Sequence, residues 1–158
     1  MLKTIIDWWH DEEVCTKEPE LTLAITKLMV GMMNMDGRTE EEYNEIVHML
    51  GENFELSDEA AKDMIDQAMD DGRTDLAFSK VVAQIEKNYT IEKRASILSL
   101  LWRIAIADND IDFIEEQYVN RLASLLDVPT KVLNEVKAEQ ERKNPNINQS
   151  NRYRDPMA

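Results

Sequence analysis

The stretch "LLWRIAIADNDIDFIEEQYVNRLASLLDVP", residues 100–129, decides how this chain is read. It opens almost wholly apolar, with Arg103 as the exception. Asp108, Asp110 and Asp112 then alternate, and apolar residues afterwards recur three and four apart. That spacing is the period of an α-helix. The stretch therefore reads as a buried helix, an acidic turn and an amphipathic helix. The alternating aspartates also open like the calcium loop of an EF-hand. Such a loop needs glycine at its sixth position and a bidentate glutamate at its twelfth. Counting from Asp108, those positions are Phe113 and Val119, which excludes an EF-hand.

The same pattern occurs upstream. "LTLAITKLMVGMM", residues 21–33, is apolar on nearly every face and is followed by "MDGRTEEEYNEIVHML", residues 35–50. A helix apolar all round belongs at the centre of a fold, and "ASILSLLWRIAIA", residues 95–107, has the same character. Thr39 and Glu42 form a T-x-x-E capping box, and Asp112 and Glu115 form its D-x-x-E equivalent. Aligning the boxes places Ile46 over Val119 and Met49 over Leu122, with one extra residue in the second loop. A diverged internal duplication is expected. A third acidic turn, "DDGRT" at 70–74, repeats the "DGRT" of 36–39. Acidic turns near Asp36, Asp71 and Asp108 have the spacing of a helical solenoid. Only two of them follow a wholly apolar helix, so a compact bundle is expected instead.

The remaining segments fit that bundle. A first helix is expected over roughly 2–13, and the next opens at Pro19, suited to a first helical turn, and runs to about Met35. Gly31 within it suits close helix packing. "LSDEAAKDMIDQAM", residues 56–69, carries Ser57 as its cap, and "TDLAFSKVVAQIEKNY", residues 74–89, is amphipathic. A last helix starts near Pro129. The tail "NPNINQSNRYRDPMA", residues 144–158, is polar with two prolines and is expected to be disordered. The organisation is then an N-terminal amphipathic helix and linker (1–18), a helical domain (19–143) and the tail (144–158). The fold class is all-α, a bundle of seven or eight helices.

Composition narrows the partners. Thirty-two acidic residues against 18 basic ones give a formal net charge of −14 over 158 residues. That surface repels phosphate backbones and anionic lipid, so neither nucleic acid nor a membrane surface is an expected partner. Cations and basic protein surfaces suit it better. No stretch approaches the roughly 20 apolar residues that span a bilayer. The N-terminal "MLKTIIDWWHDEEV" has a short apolar run broken by Asp7 and no cleavage site, unlike a signal peptide. Trp8 and Trp9 are read as one core-packed and one half-exposed ring. Cys15 permits no internal disulfide, and with no activating base nearby it reads as a plain, partly buried residue in a reducing cytoplasm.

The acidic turn admits two readings. As a metal site, the end of the apolar helix supplies carbonyls at Ala107 and Asp108, and Asp110, Asp112 and Glu115 supply carboxylates. Calcium accepts six to eight oxygen ligands in flexible geometry, with waters completing the shell. As a cap, Asp112 at N-cap with Glu115 at N3 satisfies helix amides without any metal. Asp108 opposes the dipole of the helix it ends and needs a cation, a buried arginine or loop amides to compensate. Asp36 sits in the same position in the first repeat.

Together these segments resemble the TerB-like (tellurite-resistance TerB) family, closest to a bacterial branch of it. The resemblance rests on "MVGMMNMDGRTEEEYNEIVHML", "FELSDEAAKDMI", "TDLAFSKVVAQI" and the opening stretch, in the family's order, over about residues 20–135. It implies an all-helical duplicated fold, acidic clusters that bind divalent metal, and a link to bacterial stress and tellurite resistance. Carried over residue by residue, it implies Asp36 and Glu42 as ligands from the first motif and Asp108 and Glu115 from the second. Asp110 and Asp112 are additional local candidates. Asn109 stands where the family has glycine, a change that asparagine's access to left-handed backbone tolerates.

Catalysis has little support in the residues. His10 and His48 are read as helix-surface side chains, "HDEEV" is not H-E-x-x-H, and no phosphate-binding glycine loop occurs. The methionines at 29, 32, 33, 35, 49, 64 and 69 read as core filler rather than soft-metal ligands. The expectation is a cytoplasmic, non-enzymatic, stress-associated module binding a divalent cation, calcium first. The alternative is a metal-independent scaffold docking on a basic or membrane-associated protein partner.

Overall fold

The computed structural model describes residues 19–34, 40–71 and 75–153. The expected helix over 2–13, Trp8, Trp9, His10, Cys15, Met35, Asp36 and Thr39 lie outside the described residues, as do 72–74 and 154–158. Seven helices occur among the described residues: α1 (Pro19–Met33), α2 (Glu40–Phe54), α3 (Asp58–Asp71), α4 (Asp75–Asn88), α5 (Ile91–Ala105), α6 (Phe113–Leu125) and α7 (Thr130–Arg142). None is long and apolar enough to cross a membrane.

Local chemistry explains where these helices begin and end. The Ser57 hydroxyl accepts from the Ala60 amide at 3.1 Å and opens α3. Thr90 accepts from Lys93 at 3.3 Å and opens α5. Each satisfies one of the four orphan amides of a helix start. At the end of α6, Asp127 adopts a left-handed backbone with φ 56°. Its amide donates to the Ser124 carbonyl, and that of Val128 donates to Ala123 at 2.9 Å. This paired ending satisfies carbonyls the helix leaves open and turns Val128 into the core. The Arg94 guanidinium closes another end, donating to the carbonyls of Glu86, Tyr89 and Leu126. One side chain thereby ties the end of α4 to the end of α6, with a positive charge where helix carbonyls converge.

The two helices expected at the centre are there. α1 packs against α2, α3, α4, α5 and α6, while α5 also meets α2, α6 and α7. Ile25, Met29 and Met32 of α1 and Ile97, Leu101 and Trp102 of α5 are fully buried. Met33 and Met49 are core residues too, and Met64 and Met69 pack against the core from its edge. Gly31 is needed where α1 meets α6: a Cβ there would lie 2.6 Å from the Tyr118 hydroxyl. That hydroxyl donates to the Leu28 carbonyl at 3.0 Å, so the phenol lies across the backbone of α1. The repeat alignment also holds in space, since Ile46, Val119, Met49 and Leu122 are all fully buried.

The expectation of a disordered tail from 144 needs correction. Residues 144–153 fold back across the loop between α5 and α6. The Asn148 amide donates to the Asn109 carbonyl at 2.7 Å, and the Ile111 amide donates to the Asn148 carbonyl at 3.1 Å. Ile147 packs against the core, and Arg152 forms ion pairs with Glu116 and Glu141. Hydrogen bonds and ion pairs hold this segment more than apolar burial does, which is why a count of apolar anchors overlooked it.

Candidate metal centre

The loop after α5 is short and tightly turned. Asn109 takes φ 64°, the left-handed conformation expected at this glycine-like position, and its amide donates to the Ile106 carbonyl at 2.9 Å. Asp108 then accepts from the Asp110 amide at 3.1 Å. Loop amides, rather than an arginine, are therefore what this acid finds at the negative end of α5. Burial, with the neighbouring Asp110 charge, still raises its pKa above the ordinary value.

Asp112 caps α6 as expected, a single oxygen accepting from the amides of Ile114 at 2.9 Å and Glu115 at 3.1 Å. Glu115 departs from the capping-box reading. Its carboxyl is buried and lies beside that of Glu42. Glu42 lies in the first turn of α2, the repeat-related position, and is fully buried. Two glutamates that the sequence treats as separate local caps thus meet inside the bundle. Two buried carboxyls side by side disfavour the ionised form of each. Burial first, then the charges of Glu42, Asp108 and Asp112, push the Glu115 pKa far above the carboxylate range.

Two oxygens here are left over. Glu115 Oε2 and Asp110 Oδ1 are both buried with no hydrogen-bond partner among the described residues. The other Asp110 oxygen accepts from the Asn151 side chain at 3.2 Å. Buried carboxylate oxygens without donors are costly, and neutralisation by a proton or a metal relieves them. Their hard oxygen chemistry fits calcium, magnesium or manganese and not a soft metal. Of the six sequence candidates, Glu42 and Glu115 are in contact, Asp108 and Asp110 share the loop, Asp112 is committed to the cap, and Asp36 lies outside the described residues. No group of three or more acidic, histidine or cysteine side chains is close enough to hold an ion among the described residues. A metal here would rest on the Glu42–Glu115 pair with water or carbonyl oxygens added.

Beside the acids lies a network that the sequence did not suggest. Glu116, next to Glu115 in sequence, has different partners and binds Lys137 at 2.9 Å and Arg152 at 2.9 Å. Although burial alone would raise it, hydrogen bonds from Arg152 and Lys137 hold its carboxyl below the ordinary range. Glu141 joins through Arg152 at 2.6 Å and accepts from the Trp102 indole at 3.1 Å. Lys137 and Arg152 both lie over the Trp102 ring. The only signal for this in the sequence is Ile147, one apolar residue set among asparagines. His48 is an exposed side chain of α2 paired with Glu52, as its helix-surface reading expected.

Comparison with known proteins agrees with the architecture. Neither a curated protein nor a solved structure matches the chain. A family model described as "Tellurite resistance protein TerB" matches residues 22–138, from α1 to α7. The match spans both central helices, both acidic turns and the repeat-related glutamates. The chain belongs to the TerB family.

Proposed function

We propose that this TerB-family protein is a non-enzymatic, stress-associated module that binds a divalent cation, calcium first, at its acidic interhelical loops. The observation that carries this reading is the buried Glu42–Glu115 contact, with Glu115 Oε2 lacking a hydrogen-bond donor among the described residues. Burying two carboxyls together strongly favours a species that neutralises them. Calcium or another hard divalent ion does so while using their oxygens as ligands. Asp108 and Asp110 add negative charge beside the pair, and Asp36 is a further candidate from the first repeat.

Calorimetric titration of metal-stripped protein with calcium and with magnesium tests the reading. Saturable binding that Glu115→Gln and Asp108→Asn weaken supports it. A flat titration at millimolar metal rejects it.

A second reading, a metal-independent scaffold for a basic protein partner, is favoured by the outer face of α3. Asp58, Glu59, Asp63, Asp66 and Asp70 are all exposed there. Capture of a basic partner that persists in chelator and is lost on reversing these charges distinguishes it.

A further inference from the structure

Residues 144–153 form a strap that lies against the bundle as a bound peptide lies in its receptor. At Asn148 the strap runs parallel to the loop after α5. Its amide donates to the Asn109 carbonyl, and its carbonyl accepts from the Ile111 amide. Ile147 is the apolar anchor and packs against the core, and Arg152 is the charged anchor. Main-chain pairing combined with side-chain pockets is how an extended segment is recognised when it adds to an exposed backbone edge.

The seat for Arg152 is built for a guanidinium. Arg152 donates to both oxygens of Glu116 and both oxygens of Glu141, and lies 5.8 Å over the Trp102 ring. Forked carboxylate pairing and an aromatic face favour arginine over lysine. When Arg152 leaves, Glu116 retains Lys137 and Glu141 retains the Trp102 indole, so the seat outlasts its occupant. A groove of about 750 Å³ between α6 and α7, lined also by Phe113, Asn120 and Leu133, offers a bound segment further contacts beside the arginine.

The occupant is exchangeable. Asn146, Asn148, Gln149 and Ser150 are exposed, and hydrogen bonds and ion pairs hold the strap more than apolar burial does. Water replaces such contacts on opening, so a terminal segment of this kind detaches without unfolding the bundle. Trp102, Glu116 and Lys137 lie within the family-matched residues 22–138, whereas the strap lies outside them.

We propose that this seat is a docking site for an extended, arginine-bearing segment of a basic partner protein, and that the strap occupies it in cis as an autoinhibitory mimic. A second copy of this chain is a poorer occupant, because two bodies of net charge −14 repel each other. The same charge draws in a basic segment. This inference goes beyond the cation reading and involves no metal. A linked strap competes at an effective concentration on the order of millimolar, and the partner's apparent affinity falls with the fraction of seats left open.

The probe is a labelled, end-blocked peptide of residues 144–153, titrated by fluorescence anisotropy in chelator into the full chain and into full-length Arg152→Ala. Saturable binding to Arg152→Ala is expected, with binding to the parent at least about tenfold weaker. Replacing the arginine of the peptide by alanine should abolish binding, and replacing it by lysine should weaken it. Gln149→Lys with Ser150→Lys in the peptide should tighten binding at low salt. In the parent, the Asn148 amide should exchange its hydrogen faster than the Leu101 amide within α5. No saturable binding to folded Arg152→Ala overturns the inference, as does equal affinity for parent and variant. Binding indifferent to the arginine of the peptide or to its added lysines overturns it too, and so does Asn148 exchange as slow as that of Leu101. A parent that sediments as a dimer while Arg152→Ala sediments as a monomer assigns the seat to a second copy and overturns the basic partner. Should Arg152→Ala fail to fold, Arg152→Lys, which keeps the charge and loses the fork, takes its place in the same titrations.

Discussion

Glu42 and Glu115 occupy matching positions in the first turns of α2 and α6 and lie beside each other, both buried, inside the bundle. In a duplicated fold this is how one acid per repeat becomes a single paired centre. Each carboxyl is close to the positive end of a helix, which moderates the cost of burial without removing it.

The pair predicts an unusual pH dependence. The Glu115 pKa rises from 4.5 to about 10. Between those values the folded protein keeps a proton that the unfolded chain has released, so stability falls as pH rises. Glu115→Gln removes this dependence and supplies an amide donor to Glu42. In metal-free buffer at pH 8 the variant should melt at least about 2 °C above the parent, and the two should converge near pH 4. Thermal melts across that range check it; a variant less stable at pH 8 contradicts the assignment.

Cation binding should displace the same proton. Calcium titrated into the parent at pH 7 should release close to one proton per ion, and apparent affinity should rise by up to about tenfold per pH unit. Calorimetry in two buffers of different ionisation enthalpy measures the release directly. Glu115→Gln should show none.

Packing between α1 and α6 gives a prediction independent of metal. Gly31→Ala places a Cβ 2.6 Å from the Tyr118 hydroxyl and must displace its hydrogen bond to Leu28. Overpacking of this kind costs about 1–3 kcal/mol, only partly offset by the better helix propensity of alanine, about 1 kcal/mol. Tyr118→Phe removes the clashing oxygen, so the double variant should be more stable than the sum of the two single effects. A double-mutant cycle by denaturant unfolding measures the coupling.

Local chemistry made much of the fold legible in the sequence. The apolar runs at 21–33 and 95–107 identify the two central helices, because a helix without a polar face must be covered on all sides. Ser57, Asp112 and Pro129 mark helix starts through interactions spanning a few residues. The repeat is legible for the same reason, and Ile46 and Val119 are buried alike. Membership of the TerB family is carried by such short patterns in a fixed order.

Tertiary structure decided the rest. Glu115 has the spacing of a capping-box residue, yet it turns inward to Glu42, a choice set by how the two repeats pack. Asp112 satisfies the helix amides by itself, which leaves Glu115 available for that contact. The strap depends on Arg152 finding Glu116 and Glu141, and on asparagines finding a loop more than thirty residues away in sequence. Helix period and capping are properties of neighbouring residues and can be read along the chain. The pairing of distant polar groups is fixed only when packing brings them together and removes the water that otherwise satisfies each of them.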